Sequence, residues 1–145
     1  MYKFTTKWAD FDANKHMRHS AYNDFAAEAR IRFFNEHGID VNYFNQHQIG
    51  PILFKEETTF LREILPSEDV KVSIELLGVS LNGERWKIRH IIYKENNIKA
   101  AQIEVYGAWI SYQTRKLTTP PLSIMSLFEA LKKTSDYQSI ILKNV

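Results

Sequence analysis

The stretch VKVSIELLGVSLNGERWKIRHII, residues 70–92, decides the class of fold. Apolar residues occupy every second position from 70 to 76, and the same two-residue period returns from 86 to 92. Between the two halves lies Asn82-Gly83, a dipeptide that readily adopts the positive φ angles of a tight hairpin turn. The stretch therefore predicts two neighbouring antiparallel strands.

Other segments extend this hairpin into an antiparallel sheet. Residues 4–11 are aromatic and contain Thr, and residues 52–61 are rich in Thr and aromatic side chains. Residues 98–112 continue as a long strand after a second turn at Asn96-Asn97. We therefore expect one strand near the N-terminus and four more from residue 52 onward.

Two segments have helical spacing. The first has apolar residues at positions 22, 25, 26, 29 and 33, which form one face of a long helix. Ser20 as its N-terminal cap and Gly38 as its left-handed C-terminal cap mark the expected ends. Positions 124, 127, 128 and 131 predict a short C-terminal helix. The class is α+β, a single domain over residues 1–145 in which the long helix packs on one face of a curved sheet.

The last predicted strand has bulky side chains on both faces. Ile103, Val105 and Trp109 share one face, and Tyr106, Ile110 and Tyr112 share the other. A single helix covers only one of these faces. We therefore expect the remaining apolar surface to be buried against a second copy, in a homodimer or a dimer of dimers (a homotetramer).

Composition excludes several classes of protein. Lys and Arg number 19 against 17 Asp and Glu, a net charge of +2, which gives no basic field for binding nucleic acid. There is no Cys, so thiolate nucleophiles, disulfides and Cys-ligated metals are excluded. No apolar run approaches the ~20 residues that span a bilayer, and no signal peptide is apparent. We expect a cytoplasmic protein without membrane contacts and without a cofactor.

The polar side chains best suited to catalysis lie just before the long helix. They are Asp10, Asp12, Asn14, His16 and His19. A helix N-terminus offers unpaired N–H groups and positive potential, which stabilise an oxyanion. A carboxylate beside it, such as that of Asp12, can act as general base or as nucleophile. The loop therefore indicates chemistry at a carbonyl group.

Other interpretations of the same loop remain open. Asp12 can instead cap the helix or form an ion pair with Arg18, and the two histidines can be ordinary polar residues. Asp10, Asp12, His16 and His19 together include ligands suited to zinc or iron. Their spacing matches no metal motif, and the loop has no Gly to fold it around an ion. We therefore predict no metal site.

The run WADFDANKHM, residues 8–17, followed by Tyr22 and by Ala29-Arg30, resembles a known family signature. The family is that of the hotdog-fold 4-hydroxybenzoyl-CoA thioesterase-like proteins, with the pattern W-x-D-x-D-x-x-G-H-V-N-N-x-x-Y and then E-x-A-R. Residues 60–69 and 114–120 also resemble segments of that family, and the order of elements agrees. The resemblance covers most of the chain.

The resemblance implies a hotdog fold: a long helix wrapped by a curved antiparallel sheet of five to six strands, paired into a dimer with sites at the subunit interface. It implies hydrolysis of acyl-CoA thioesters, with Asp12 as base or nucleophile and an oxyanion-stabilising N–H near His19. His16 then orients the loop, and Tyr22 matches the family's helix tyrosine. For substrate binding, Arg62 is a candidate phosphate partner, together with Arg85, Lys87 and Arg89, and Trp86 with Phe54 is a candidate wall of the acyl pocket.

The chain departs from the family pattern at four positions. Lys15 replaces the Gly, Arg18 and His19 replace the Asn pair, and Ala27 replaces the helix Glu. Two further functions therefore stay open on the same scaffold. One is a non-catalytic protein that binds acyl-CoA or acyl-carrier protein, and the other is a dehydratase or isomerase that leaves the thioester intact.

Overall fold

The structure, a computed structural model, describes residues 1–143. In chain order its elements are β1 (Tyr2–Phe4), a 3-10 helix (Trp8–Asp10), α1 (His19–Glu36), α2 (Val41–His47), β2 (Ile49–Phe60), β3 (Val70–Val72), β4 (Glu75–Val79), β5 (Arg85–Lys94), a second 3-10 helix (Glu95–Asn97), β6 (Ile98–Ser111) and α3 (Ser123–Glu129). The predicted long helix and the short C-terminal helix are both present. Within residues 1–143, none of the helices is both long and apolar enough to cross a membrane.

The strands form one six-stranded antiparallel sheet. Its order is β1-β3-β5-β6-β2, and β4 also pairs with β5. The predicted hairpin at Asn82-Gly83 joins β4 to β5, and Gly83 has a φ of +77° there. Strand β2 lies at one end of the order, paired along its length with β6 and with nothing on its other side among the described residues.

Helix α1 packs its apolar face on this sheet. Ala21, Ala26 and Ala29 are fully buried, and their small side chains let the helix lie close to the strands. The sheet residues below it include Ile103, Val105 and Trp109, which are also buried, as the alternation in β6 predicts. On the opposite face of β6, Tyr106 and Ile110 are only half-buried, as is Tyr112 just after the strand.

The prediction of one continuous strand over residues 70–76 is wrong. The chain breaks it into β3 and β4 at Ser73 and Ile74. The hydroxyl of Ser73 accepts a hydrogen bond from the backbone N–H of Ile91 at 2.8 Å, and the Ser73 N–H donates to the Ile91 carbonyl at 3.0 Å. A side chain that bonds to the neighbouring backbone replaces one rung of the ladder, which ends regular pairing there.

Two expectations near the N-terminus are also corrected. The first strand spans residues 2–4, so only Phe4 of the predicted strand 4–11 lies in it. A 3-10 turn follows because the Asp10 carboxylate accepts a hydrogen bond from the Lys7 N–H at 2.9 Å. Helix α1 begins at His19 after Arg18, so Ser20 is not its cap. The Ser20 hydroxyl instead contacts the Arg18 guanidinium within the first turn.

Candidate active site

The loop before α1 is a closed turn anchored to the sheet. The Asp12 N–H donates to the His16 carbonyl and the Lys15 N–H donates to the Asp12 carbonyl, both at 3.0 Å. The Met17 N–H donates to the carbonyl of Ile64 at 2.8 Å, which ties the loop to the segment after β2. These backbone bonds hold the side chains of Asp12 and His16 at a fixed position beside the start of the helix.

Lys15 occupies the position where the family pattern that the sequence resembles has Gly. Its φ is +61°, in the left-handed region that Gly adopts at little cost and other residues adopt at a cost of roughly 1–2 kcal/mol. Lys15 therefore adopts the turn conformation that favours Gly, and its backbone is strained. It adds a lysine side chain beside Asp12.

The Asp12 carboxylate is held in place and still reaches solvent. Its Oδ2 lies 3.2 Å from Nδ1 of His16, and its Oδ1 accepts a hydrogen bond from the Asn14 N–H at 2.9 Å. The two side chains are 35% and 36% exposed. Arg18 does not bind Asp12, since its guanidinium donates to the Ala9 carbonyl and contacts Asp24. The ion pair between Asp12 and Arg18 is therefore not formed.

The N-terminus of α1 has N–H groups open to a ligand. The Arg18 carbonyl accepts from Ala21, whereas the N–H groups of His19 and Ser20 have no acceptor within residues 1–143. Arg18 supplies no side-chain cap, and the first turn has no acidic residue to neutralise the helix dipole. An oxyanion placed there would be stabilised by both features.

One cavity joins five of the six predicted site residues. We call it the Asp12 cavity; its volume is about 410 Å³, and its walls include Asp12, His16, His19, Tyr22 and Arg62. Met17, Phe60, Leu61 and Glu63 complete the lining. The carboxylate and the helix N-terminus therefore face the same space, next to an apolar wall.

Tyr22 is the most buried of the five predicted site residues that line this cavity. Its hydroxyl donates to the Arg62 carbonyl at 3.4 Å, and its ring meets Phe60 edge-on with centroids 5.0 Å apart. Burial raises the pKa of the Tyr22 phenol, so the hydroxyl stays protonated at neutral pH. Tyr22 thus holds the segment after β2 that carries Arg62, and its uncharged side chain lines the cavity.

Trp86 lies apart from the other five residues. It is buried in the core against Phe34, Trp109 and Phe128. It also borders a separate cavity of about 200 Å³ between α1 and β2, which does not include Asp12. Trp86 does not line the Asp12 cavity, so the structure does not support its expected role in substrate binding there.

The other basic residues considered for phosphate binding have different surroundings. Arg85 lies over the ring of Phe54, whereas Lys87 lies over that of Tyr106. Arg89 forms an ion pair with Asp136 at 2.8 Å, and this hydrogen bond raises the pKa of Arg89. None of the three lines the Asp12 cavity.

The metal-site interpretation of the loop is not supported. Asp10 is buried, and its carboxylate accepts the Lys7 N–H, so it points into the 3-10 turn. Over residues 1–143, no group of three or more His, Cys, Asp or Glu side chains is placed to hold a metal ion.

Sequence reasoning missed a larger cavity on the other side of Asp12. It lies between the segment of residues 6–15 and the turn at Pro66-Ser67, and its volume is about 600 Å³. The aromatic pattern of residues 4–11 predicted that Trp8 belongs to a strand. In the structure, Trp8 instead lines this cavity and is 93% exposed. Trp8 is part of the family motif, which marks it as a residue of interest, but the motif does not show that its side chain is exposed to solvent.

A family model for the thioesterase-like superfamily matches residues 6–130. The chain belongs to this superfamily. The matched segment contains the loop, helix α1 and strands β2 to β6. Membership confirms the resemblance stated from the sequence and, at the level of enzyme class, the prediction of a thioester hydrolase. No curated protein sequence matches the chain.

Solved structures with the same fold are numerous. A hypothetical protein from Staphylococcus aureus in complex with CoA has a TM-score of 0.83 and 21% identity, over 94% of this chain and 87% of that one. The 1,4-dihydroxy-2-naphthoyl-CoA thioesterase of Synechocystis has a TM-score of 0.79 and 14% identity, over 90% and 95%. A gentisyl-coenzyme A thioesterase has a TM-score of 0.75 and 19% identity, over 89% and 99%. These likenesses confirm the hotdog fold.

Proposed function

We propose that the chain hydrolyses an acyl-CoA thioester to a free acid and coenzyme A, with Asp12 as the reacting carboxylate. One observation carries the proposal: the Asp12 carboxylate and the N-terminus of α1 border the same cavity. Hydrolysis of a thioester needs both a group that activates the nucleophile and donors for the oxyanion. Asp12 and the first residues of α1 meet these two requirements, and they lie within residues 12–20.

In the proposed reaction, the thioester oxygen accepts hydrogen bonds from the N–H groups of His19 and Ser20. Asp12 removes a proton from water as the water oxygen attacks the carbonyl carbon, and the oxyanion forms on those N–H groups. The carbon–sulfur bond then breaks, and the CoA sulfur leaves and takes up a proton. In the second form of the reaction, the Asp12 oxygen attacks the carbonyl carbon directly, and the CoA sulfur leaves and takes up a proton. Water then hydrolyses the resulting mixed anhydride and regenerates Asp12. Nδ1 of His16 holds the carboxylate in position in both forms.

The similar structures support the substrate class. The proteins named above include one solved with CoA and two named as thioesterases of aryl-CoA substrates. The apolar wall of the Asp12 cavity, with Met17, Phe60 and Leu61, suits an acyl group. This wall gives no hydrogen-bonding pattern that would select one acyl group over another.

A second copy of the chain is part of the proposal. Strand β2 is twelve residues long and carries exposed apolar side chains at Leu53, Phe54 and Phe60. Within residues 1–143 one of its edges is free. A long unpaired edge readily pairs with another strand. Phe60 and Leu61 also line the Asp12 cavity, so a partner on this edge would help to close it. We propose a homodimer, alone or within a dimer of dimers.

A thiol-release assay tests the proposed function. Short, long and aryl acyl-CoA esters are incubated with the protein, together with an acyl-carrier-protein ester. The proposal expects stoichiometric release of free thiol from at least one acyl-CoA. Binding without thiol release would favour the non-catalytic alternative, and a changed acyl group on an intact thioester would favour the dehydratase or isomerase.

A further inference from the structure

The large cavity beside Asp12 has the features of a ligand site. We call it the Trp8 groove; it is bounded by residues 6–15 and by Pro66-Ser67, with a volume of about 600 Å³. Asp12 lines both this groove and the Asp12 cavity, so the two spaces adjoin at this residue. A ligand long enough to occupy both would pass beside Asp12.

Trp8 presents a flat aromatic surface to solvent. Its side chain is 93% exposed, whereas Trp86 and Trp109 are fully buried. The backbone below it is fixed, since the N–H of Asp10 donates to the Lys7 carbonyl at 2.9 Å and the Phe11 N–H donates to the Trp8 carbonyl at 3.2 Å. A large apolar ring held in water on a fixed turn is well suited to stack on a second aromatic ring.

Two lysines line the same groove. Lys7 and Lys15 have no carboxylate within 4.0 Å of their ammonium groups among residues 1–143, whereas Lys94 binds Glu68 at 3.2 Å. Asp12 is the acidic residue that lines the groove, and its Oδ2 contacts Nδ1 of His16. The groove therefore combines a stacking surface with two lysines against one carboxylate. This is the chemistry that recognises a phosphorylated nucleotide.

We propose that the Trp8 groove binds the phosphorylated adenosine end of coenzyme A, with the adenine on Trp8 and the phosphates at Lys7 and Lys15. The pantetheine arm then passes Asp12 towards the Asp12 cavity. This inference rests on the proposed function for the identity of the nucleotide. It replaces Arg85, Lys87 and Arg89 as the expected phosphate partners, because those side chains contact other residues.

Tryptophan fluorescence tests the groove without any hydrolysis. Trp8 is the solvent-exposed tryptophan, so a base stacked on it should quench its emission while the two buried tryptophans are unaffected. Coenzyme A, dephospho-coenzyme A, pantetheine and ATP are titrated separately into the full chain. We expect saturable quenching by coenzyme A, weaker binding of the dephospho form, and no quenching by pantetheine. ATP quenching as strongly as coenzyme A would overturn the assignment to coenzyme A.

Calorimetry on variants measures the contribution of each group. Trp8→Ala should weaken coenzyme A binding about 5- to 150-fold, the range expected for loss of one stacked base. Lys7→Gln with Lys15→Gln should weaken binding and reduce its dependence on salt. Lys99→Gln with Lys132→Gln makes the same change of charge at exposed lysines that do not line the groove, and should leave affinity unchanged. Unaltered affinity in Trp8→Ala, with its melting temperature preserved, would overturn the proposal.

Two further outcomes separate this inference from the hydrolase proposal. Trp8-dependent binding of coenzyme A in a protein that releases no thiol would support the groove and contradict the hydrolase. Quenching of Trp8 that follows protein concentration instead of ligand concentration would show that a second copy covers the ring, and would overturn the groove.

Discussion

Nη1 of Arg30 lies 3.1 Å from Nε2 of His90, and both side chains are buried between α1 and β5. Nδ1 of His90 is 2.9 Å from the Ser73 carbonyl, which can only accept, so Nδ1 carries the proton and Nε2 accepts from Arg30. Burial, and then the charge of Arg30, lower the pKa of His90 from its ordinary 6.5 to about 3. The pair therefore consists of a cation and a neutral imidazole.

This pair predicts acid sensitivity of the fold. Between about pH 6.5 and 3 the unfolded chain binds a proton at His90 that the folded chain does not, so the free energy of unfolding falls as the pH is lowered. The contribution is at most about 1.4 kcal/mol per pH unit. Urea unfolding of wild type and of His90→Gln should diverge with pH, because Gln keeps a donor for Ser73 and an acceptor for Arg30 but does not titrate. Parallel pH dependences would contradict the assignment.

Lys15→Gly should stabilise the protein. Gly accepts a φ of +61° without the steric cost that Lys carries, and we expect a gain of roughly 0.5–1 kcal/mol after the greater entropy of the unfolded Gly chain is subtracted. Lys15→Ala is the matched control, since it removes the same side chain and keeps the strain. Thermal unfolding that ranks Ala above Gly would show that the left-handed conformation is not retained.

Gly107→Ala should be strongly destabilising. A Cβ at this position would lie 2.6 Å from Cη2 of Trp86 and 2.7 Å from the carbonyl oxygen of Ile52, so the strands must shift. We expect a loss of about 1–3 kcal/mol from this overpacking, measured by urea unfolding. Combining it with Trp86→Leu should recover part of that loss, because the smaller side chain makes room. Fully additive losses would contradict contact between the two positions.

A homodimer should be present at micromolar concentration. Sedimentation velocity of the wild-type chain should give the mass of a dimer or a tetramer, and Leu53→Lys on the exposed β2 strand should shift the equilibrium towards monomer. Leu122→Lys places the same charge at an exposed leucine outside the sheet and should not alter the mass. A monomeric wild type would exclude the proposed interface.

The sequence predicted those strands and helices in which the spacing of apolar residues matches the positions that are buried. Strand β6 has Ile103, Val105 and Trp109 on its buried face, and helix α1 buries four of the five positions that its spacing indicated, while Phe25 is half-buried. The break at Ser73 was not predictable, because it depends on a hydrogen bond to Ile91, eighteen positions along the chain. The exposure of Trp8 was missed for a similar reason, since it depends on how Asp10 folds the 3-10 turn.

The candidate site was largely predictable because its residues are close in sequence. Asp12, His16 and His19 lie on one short loop and the first turn of α1, so their proximity follows from the chain. Arg62 joins them through the hydrogen bond between its carbonyl and Tyr22, forty residues earlier. Alternation within β5 identified Trp86 as an inward-facing residue, but not whether it faces the core or a ligand.

The role of Asp12 is tested most directly by the rate of thiol release at saturating acyl-CoA. Asp12→Asn keeps the size of the side chain and removes its charge, and we expect a loss of at least about 100-fold, the contribution of a general base. Asp24→Asn removes a carboxylate from the first turns of the same helix and should retain the wild-type rate. A folded Asp12→Asn protein that releases thiol as fast as wild type would contradict the account.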